Sequence, residues 1–234
     1  MSHPIIFWAT FLALASLVYF CDKKYGMLRD TSTATPRPYS WSRVQLAWWT
    51  VIVFSSYITI ILRSHGSLPD FNNSILYLLG ISSATTIGAT LIDVSDQSNP
   101  ALSNLSQNDR GNTFFLDILS DKNGISIHRF QTIIFNIVFG IWFIGAVLQR
   151  LSVDPPCAIC AGQPASGACI TCLNNYARAI MPFIPSNDLI LMGISSGLYE
   201  ALKITENRQP TTSDTQPLKV ADEGFQKNNP SVKG

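Results

Sequence analysis

The chain is 234 residues long, 47% hydrophobic and only 13% charged, with a mean hydropathy of +0.20 and a formal net charge of +1. That charged share is about half of what a soluble domain carries, so a soluble globular fold is the poorest reading. No basic run of the kind that grips phosphate backbones is present, and no nucleic-acid partner is expected.

Taken in order, five apolar segments approach the roughly 20 residues that a helix needs to cross a bilayer core of about 30 Å. They are residues 4–20, 46–62, 75–92, 130–148 and 189–204, the third and fifth being rich in Ser, Thr and Gly. The first lacks a basic start and a small-residue cleavage pattern, so it reads as a retained helix rather than a signal peptide. Residues 22–39 form a polar linker punctuated by Pro36 and Pro38. Residues 94–125 form a second polar loop. Within it, the stretch 114–122 sets apolar groups opposite Asp117 and Asp121, the pattern of a short helix lying on the membrane surface. Residues 207–234 hold Pro210, Pro217 and Pro230 among polar residues and are expected to be disordered.

The chain also repeats itself. Ser40, Arg43 and Gln45 stand in the same spacing as Ser126, Arg129 and Gln131, whereas Gly80-Ile81-Ser82-Ser83 recurs as Gly193-Ile194-Ser195-Ser196. Arg43 and Arg129 are offset by 86 positions, and Gly80 and Gly193 by 113, which leaves about 27 extra residues inside the second copy. A fixed internal period describes architecture. The expected fold is therefore an all-α polytopic membrane protein with five transmembrane helices and a short amphipathic interfacial helix. Its parts are a leading helix (1–21), the linker (22–39), a first hairpin (40–93), a loop (94–125), a second hairpin (126–206) in parallel repeat with an insertion at about 150–180, and the tail (207–234).

Orientation follows from the basic residues. With the amino terminus outside, 13 of the 16 fall on the cytoplasmic side, and only Arg63, Arg150 and Arg178 on the other. The carboxyl terminus is then cytoplasmic and the lipid bilayer is the first partner.

Several residues stand out as candidates for function. Arg43 and Arg129, each two positions before a glutamine (Gln45, Gln131), sit at the cytoplasmic starts of their helices. They suit either lipid-headgroup contact or simple snorkelling to the interface. Gly80, Ala84 and Gly88, and Gly193, Gly197 and Ala201, fall four apart. Such stripes let helix backbones approach closely, and with hydroxyls such as Ser83 and Ser196 nearby they also suit a wet path. Asn136 reads as a bond between helices. Glu200 and Asp93 lie toward the cytoplasmic ends, and mid-membrane charge is nearly absent, which argues against a proton relay.

The insertion carries Cys157, Cys160, Cys169 and Cys172, two Cys-x-x-Cys pairs that can surround a tetrahedral zinc. The expected extracytoplasmic position favours disulfides instead, with zinc and a redox dithiol as alternatives. Otherwise no cofactor is expected. Enzymes that pass disulfide-bond electrons to quinones also join four core helices to extracytoplasmic cysteines, but their redox pairs are split between loops or stand at helix starts.

The paired Ser-x-x-Arg-x-Gln and Gly-Ile-Ser-Ser motifs, with the run from Phe115 to Gln131, resemble a group of bacterial multi-pass inner-membrane proteins. The resemblance covers about residues 38–206. It implies a bacterial inner membrane and two hairpins but no activity, and the cysteine insertion departs from the group's pattern. Three functions follow as expectations: an oligomeric channel or pore-type protein; a membrane anchor or regulatory subunit recruiting a cytoplasmic protein partner; or an extracytoplasmic thiol-disulfide enzyme. A homo-oligomer is expected for the first. No acid/base pair, nucleophile triad or phosphate loop supports another enzyme.

Overall fold

The structure, a computed structural model, describes residues 3–32, 34–64, 72–99, 111, 113–121, 124–153 and 167–206. Seven helices and one small hairpin make up its elements: α1 (His3–Tyr25), α2 (Trp41–Arg63), α3 (Asn73–Gln97), α4 (Phe114–Leu119), β1 (Ser120–Asp121), β2 (Gly124–Ile125), α5 (Ile127–Leu151), α6 (Gly167–Ile180) and α7 (Ser186–Glu206). Of these, α1, α2, α3 and α5 are long and apolar enough to cross a membrane. The fifth expected span, α7, is not among them, because its Gly, Ser and charged residues dilute its apolar run. The side chains of Leu12, Phe20, Leu91, Ile141 and Ile194 point outward, a surface that water tolerates poorly and lipid accepts.

Local chemistry sets the helix ends. α1 runs past Cys21 and Lys24 to Tyr25, and stops where Gly26 turns to a φ of +67° and its N–H bonds the Asp22 carbonyl at 2.7 Å. At the start of α3 the Asn72 side chain accepts from the Ile75 N–H at 3.0 Å, a cap that satisfies one orphan donor. The same side chain donates to the Pro182 carbonyl at 3.1 Å, and the Ser74 hydroxyl accepts from the Ile184 N–H at 3.1 Å. The beginnings of α3 and α7 are thereby tied together. α6 lies where the sequence suggests only a cysteine loop. It buries Cys169, Leu173, Tyr176, Ala177 and Ile180, an ordinary helical stripe.

The four central helices form a ring: α2 packs on α3 and α5, α7 packs on α3 and α5, and α1 lies against α2. Hydrogen bonds give the directions. Asn72 to Pro182, Ser74 to Ile184 and Asp93 to Lys203 each join residues 110 apart, so α3 and α7 run side by side in the same sense. Thr86 of α3 reaches the Ser42 carbonyl at the start of α2, and Arg150 at the end of α5 reaches the Met181 carbonyl before α7, so both of those pairs are antiparallel. The interior is filled, with Trp49, Ile52, Val53, Phe143, Val147 and Met192 all buried.

Candidate functional site

One end of the ring, where α1 and α3 finish and α2 begins, holds the charged centre of the molecule. The linker folds back on itself there. Asp30 N–H bonds the Pro38 carbonyl, and Ser40 N–H bonds the Leu28 carbonyl, each at 2.9 Å. Arg29 locks this turn by donating to the Arg37 carbonyl at 2.9 Å and the Tyr39 hydroxyl at 3.0 Å, with its guanidinium 4.5 Å above the Tyr39 ring. The fold-back aims Asp30 at the bundle. Lys203 of α7 lies between two carboxylates, 2.8 Å from Asp93 of α3 and 3.3 Å from Asp30. The side chains of Lys203 and Asp93 are 3% and 1% exposed, which makes this a buried ion cluster rather than a surface salt bridge.

Burial works against ionisation of Asp30, but the Lys203 ammonium, a hydrogen bond with Asp93 and the Thr31 N–H, 2.9 Å from its Oδ1, together outweigh it and hold its carboxyl below the usual carboxylate range. Three elements that are far apart in sequence, the linker, α3 and α7, therefore share one electrostatic fastening. α4 joins the same end: Asp117 accepts from the Tyr39 N–H at 3.2 Å and Phe114 packs edge-on against Tyr39, centroids 5.1 Å apart. The hairpin β1–β2, turned by Gly124 at a φ of +111°, follows directly. Phe115, Leu116, Ile125 and Ile127 stay exposed on this cap.

Below the cluster runs a buried polar seam. Gln45 is fully buried, donates to the Ser196 hydroxyl at 3.3 Å, and leaves its Oε1 without a partner; the Trp41 Nε1 is likewise unpartnered among the described residues. Asn136 accepts from Trp49 Nε1 at 2.7 Å and donates to the Thr132 carbonyl at 2.8 Å, binding α5 to α2. Thr132 hydroxyl in turn reaches the His128 carbonyl at 3.0 Å.

The residues singled out from sequence separate into distinct places. Gln45 and Ser196 meet, whereas Gln131, the repeat mate of Gln45, is exposed. Arg43 is half buried and bonds the Thr31 hydroxyl at 3.0 Å; Arg129 lies 5.4 Å over the Tyr199 ring. Gly80, Ala84 and Gly193 line an open apolar groove of about 600 Å³ between α3 and α7, with Leu76, Tyr77 and Leu189. Gly88 faces Glu200, whose carboxylate a Cβ would meet at 2.6 Å, while no atom lies near the missing Cβ of Gly197. Ser83 is half buried, and Ala201 is exposed. The α3 hydroxyls of Ser82, Thr85, Thr86 and Thr90 all donate to carbonyls one turn back, Thr86 sharing its proton with the Ser42 carbonyl of α2, so these donors are satisfied within the bundle and do not call for water. Cys169 and Cys172 sit one turn apart on α6, and Cys21 is a free thiol. Cys157, Cys160, most of the loop after Gln97 and the tail from residue 207 lie outside the described residues.

Asp30 and Lys203 carry the site, and sequence reading passes over both. Lys203 counts as one more cytoplasmic base and Asp30 as one more linker polar group. The usable signal is Asp93, an ionisable residue directly after the apolar run 75–92, which calls for a named partner. Asp93 and Lys203 are both buried between α3 and α7, toward the ends of those helices. No protein-family model, curated protein or solved structure matches the chain.

Proposed function

We propose that this chain is a membrane anchor or regulatory subunit that works through the cap at its linker end. One observation carries the reading: the cap is fastened to a solidly filled bundle by the buried Asp30, Lys203 and Asp93 cluster. A conduit through a single copy would need an unfilled, hydrated interior, and Trp49, Phe143 and Met192 occupy that space. An anchor needs an ordered face outside the bilayer, and the linker, α4 and the β1–β2 hairpin supply one, edged by the exposed Phe115, Leu116, Ile125 and Ile127.

In this reading the cap faces the cytoplasm of a bacterial cell, the amino terminus lies outside, and α7 completes the membrane bundle as a fifth span beside α3. The two hairpins are related by an axis along the membrane normal. That relation is supported by the shared direction of α3 and α7 and by the antiparallel pairing within each hairpin. Cys169 and Cys172, one turn apart on α6, belong in this reading to a disulfide staple at the opposite end, outside the cytoplasm, rather than to a zinc site or a redox enzyme.

A second reading is an oligomeric pore with its path between copies. The open Gly80, Ala84 and Gly193 groove favours it, because small residues on an outward face let another helix approach. One experiment separates the two. Photo-crosslinkers placed at Phe115 and Ile125 in membrane-embedded protein are expected to capture one soluble protein in stoichiometric amount, and Lys203→Met is expected to abolish capture while the bundle stays helical. Crosslinks to lipid and to further copies of this chain alone sink the anchor reading.

A further inference from the structure

Arg43 stands in the first turn of α2, half buried, and among the described residues its one hydrogen bond goes to a neutral oxygen, the Thr31 hydroxyl at 3.0 Å. A guanidinium carries five donors and does not lose its charge, so one hydroxyl leaves most of its capacity unused. Its repeat mate Arg129 differs, being laid over the Tyr199 ring. The copies have diverged at the residue they most visibly share.

Beside Arg43 opens a pocket of about 380 Å³ between α1, α2 and α3. Its walls are mainly apolar, with Val18 of α1, Leu28 of the linker and Leu46 and Ala47 of α2 among them, and Arg43 is the only charged side chain among the described residues that line it. Thr86 and Thr90 complete the α3 wall with hydroxyls already donated to that helix's own carbonyls. The volume lies within the range of small-molecule sites, about 300–1,000 Å³. The three helices around it are the consecutive membrane-crossing candidates α1, α2 and α3.

A site that is apolar along its walls, bounded by three such helices and charged at one edge by an arginine with no acidic partner among the described residues, matches one ligand chemistry. We infer that it holds a single acidic phospholipid, with the phosphate on Arg43 and an acyl chain along Val18, Leu46 and Ala47. A zwitterionic lipid also brings a phosphate, but its own ammonium group competes with Arg43 for that charge, whereas a lipid of net negative charge leaves its phosphate to the guanidinium. A free phosphate would leave the apolar walls unused. Because Arg43 also holds Thr31, the neighbour of Asp30, lipid occupancy bears directly on the linker that carries the ion cluster. This inference goes beyond the anchor reading and depends only on α1–α3 lying in lipid.

The test uses the full chain purified in a neutral detergent, with thermal unfolding followed while phosphatidylglycerol, phosphatidylcholine or inorganic phosphate is titrated in. Phosphatidylglycerol is expected to raise Tm saturably, with half-saturation about tenfold or more tighter than for phosphatidylcholine, and inorganic phosphate is expected to have no effect. Arg43→Gln is expected to remove that preference, and Ala47→Phe, which fills the pocket, to abolish saturation. Equal responses to the two lipids, an unchanged Arg43→Gln, or a phosphate response that reproduces the lipid's would overturn the proposal. Should Arg43→Gln fail to fold, Ala47→Phe decides: saturable phosphatidylglycerol binding that survives it contradicts the site.

Discussion

Lys203 of α7 lies 2.8 Å from the Asp93 carboxylate of α3, and both side chains are almost wholly removed from solvent. Their helices run side by side in the same direction, so the pair closes one end of the α3/α7 seam much as Asn72 and Pro182 close the other. Breaking a buried pair from one side strands the remaining charge, which costs far more than the pair contributes.

Lys203→Met, which strands two carboxylates, is therefore expected to destabilise the solubilised protein by about 3–5 kcal/mol. Asp93→Asn leaves Lys203 with Asp30 and is expected to cost less. The double variant should fall short of the sum by about 0.5–3 kcal/mol, the mark of direct coupling. Thermal unfolding of the four proteins in one detergent checks this; strict additivity would mean that the two groups do not interact.

Asp30 gives the cluster a pH signature. Its carboxyl is held below the usual 3.8, against burial, by Lys203, a hydrogen bond with Asp93 and the Thr31 N–H. A group with a depressed folded pKa stabilises the fold above its unfolded pKa and loses that contribution as pH falls through the folded one. The stability difference between wild type and Asp30→Asn is thus expected to be constant from neutral pH down to about 4.5 and to shrink below about 4. A difference that instead vanishes as pH rises toward neutral would mean that Asp30 is not ionised by Lys203.

How far the sequence led can be judged at this cluster. The long apolar runs announce α1, α2, α3 and α5, the four helices long and apolar enough to cross a membrane. α6 is not legible, because the helical spacing of Leu173, Tyr176 and Ile180 follows directly on a stretch rich in Cys, Pro and Gly that carries no apolar period of its own. The triad was not legible either. Asp30 reaches Lys203, 173 positions away, only because Arg29 folds the linker onto Tyr39, and that is a tertiary event with no local signature. The small-residue stripes were legible as stripes but not as to which face they took: Gly80 lines an open groove, whereas Gly88 meets Glu200.

Two glycines should respond oppositely to the same change. A Cβ at Gly140 would meet the rigid Trp48 indole at 2.6 Å, while nothing lies within 4 Å of one at Gly80. Gly140→Ala is expected to cost about 1–3 kcal/mol by forcing α5 from α2. Gly80→Ala is expected to raise monomer stability by about 0.5–1 kcal/mol, because alanine is the better helix former and has room there. Denaturation curves on the two variants check the pair, and equal effects would contradict the packing described.

Asn136 supplies a polar test of the same α2/α5 seam. Asn136→Ala removes the acceptor of Trp49 Nε1 but spares the Trp48 bond, which goes to the Asn136 main-chain carbonyl at 3.2 Å. A buried unsatisfied donor costs about 1–3 kcal/mol. Adding Trp49→Phe should restore part of that loss, read by the same unfolding assay.

Solute flux through proteoliposomes bears most directly on the claim that the bundle is filled and acts through its cap. Vesicles carrying wild-type protein are expected to stay as tight to ions and small solutes as empty ones. Flux that rises with protein density and disappears in Gly80→Leu, which blocks the outward groove, would contradict the account and make the protein a pore between copies.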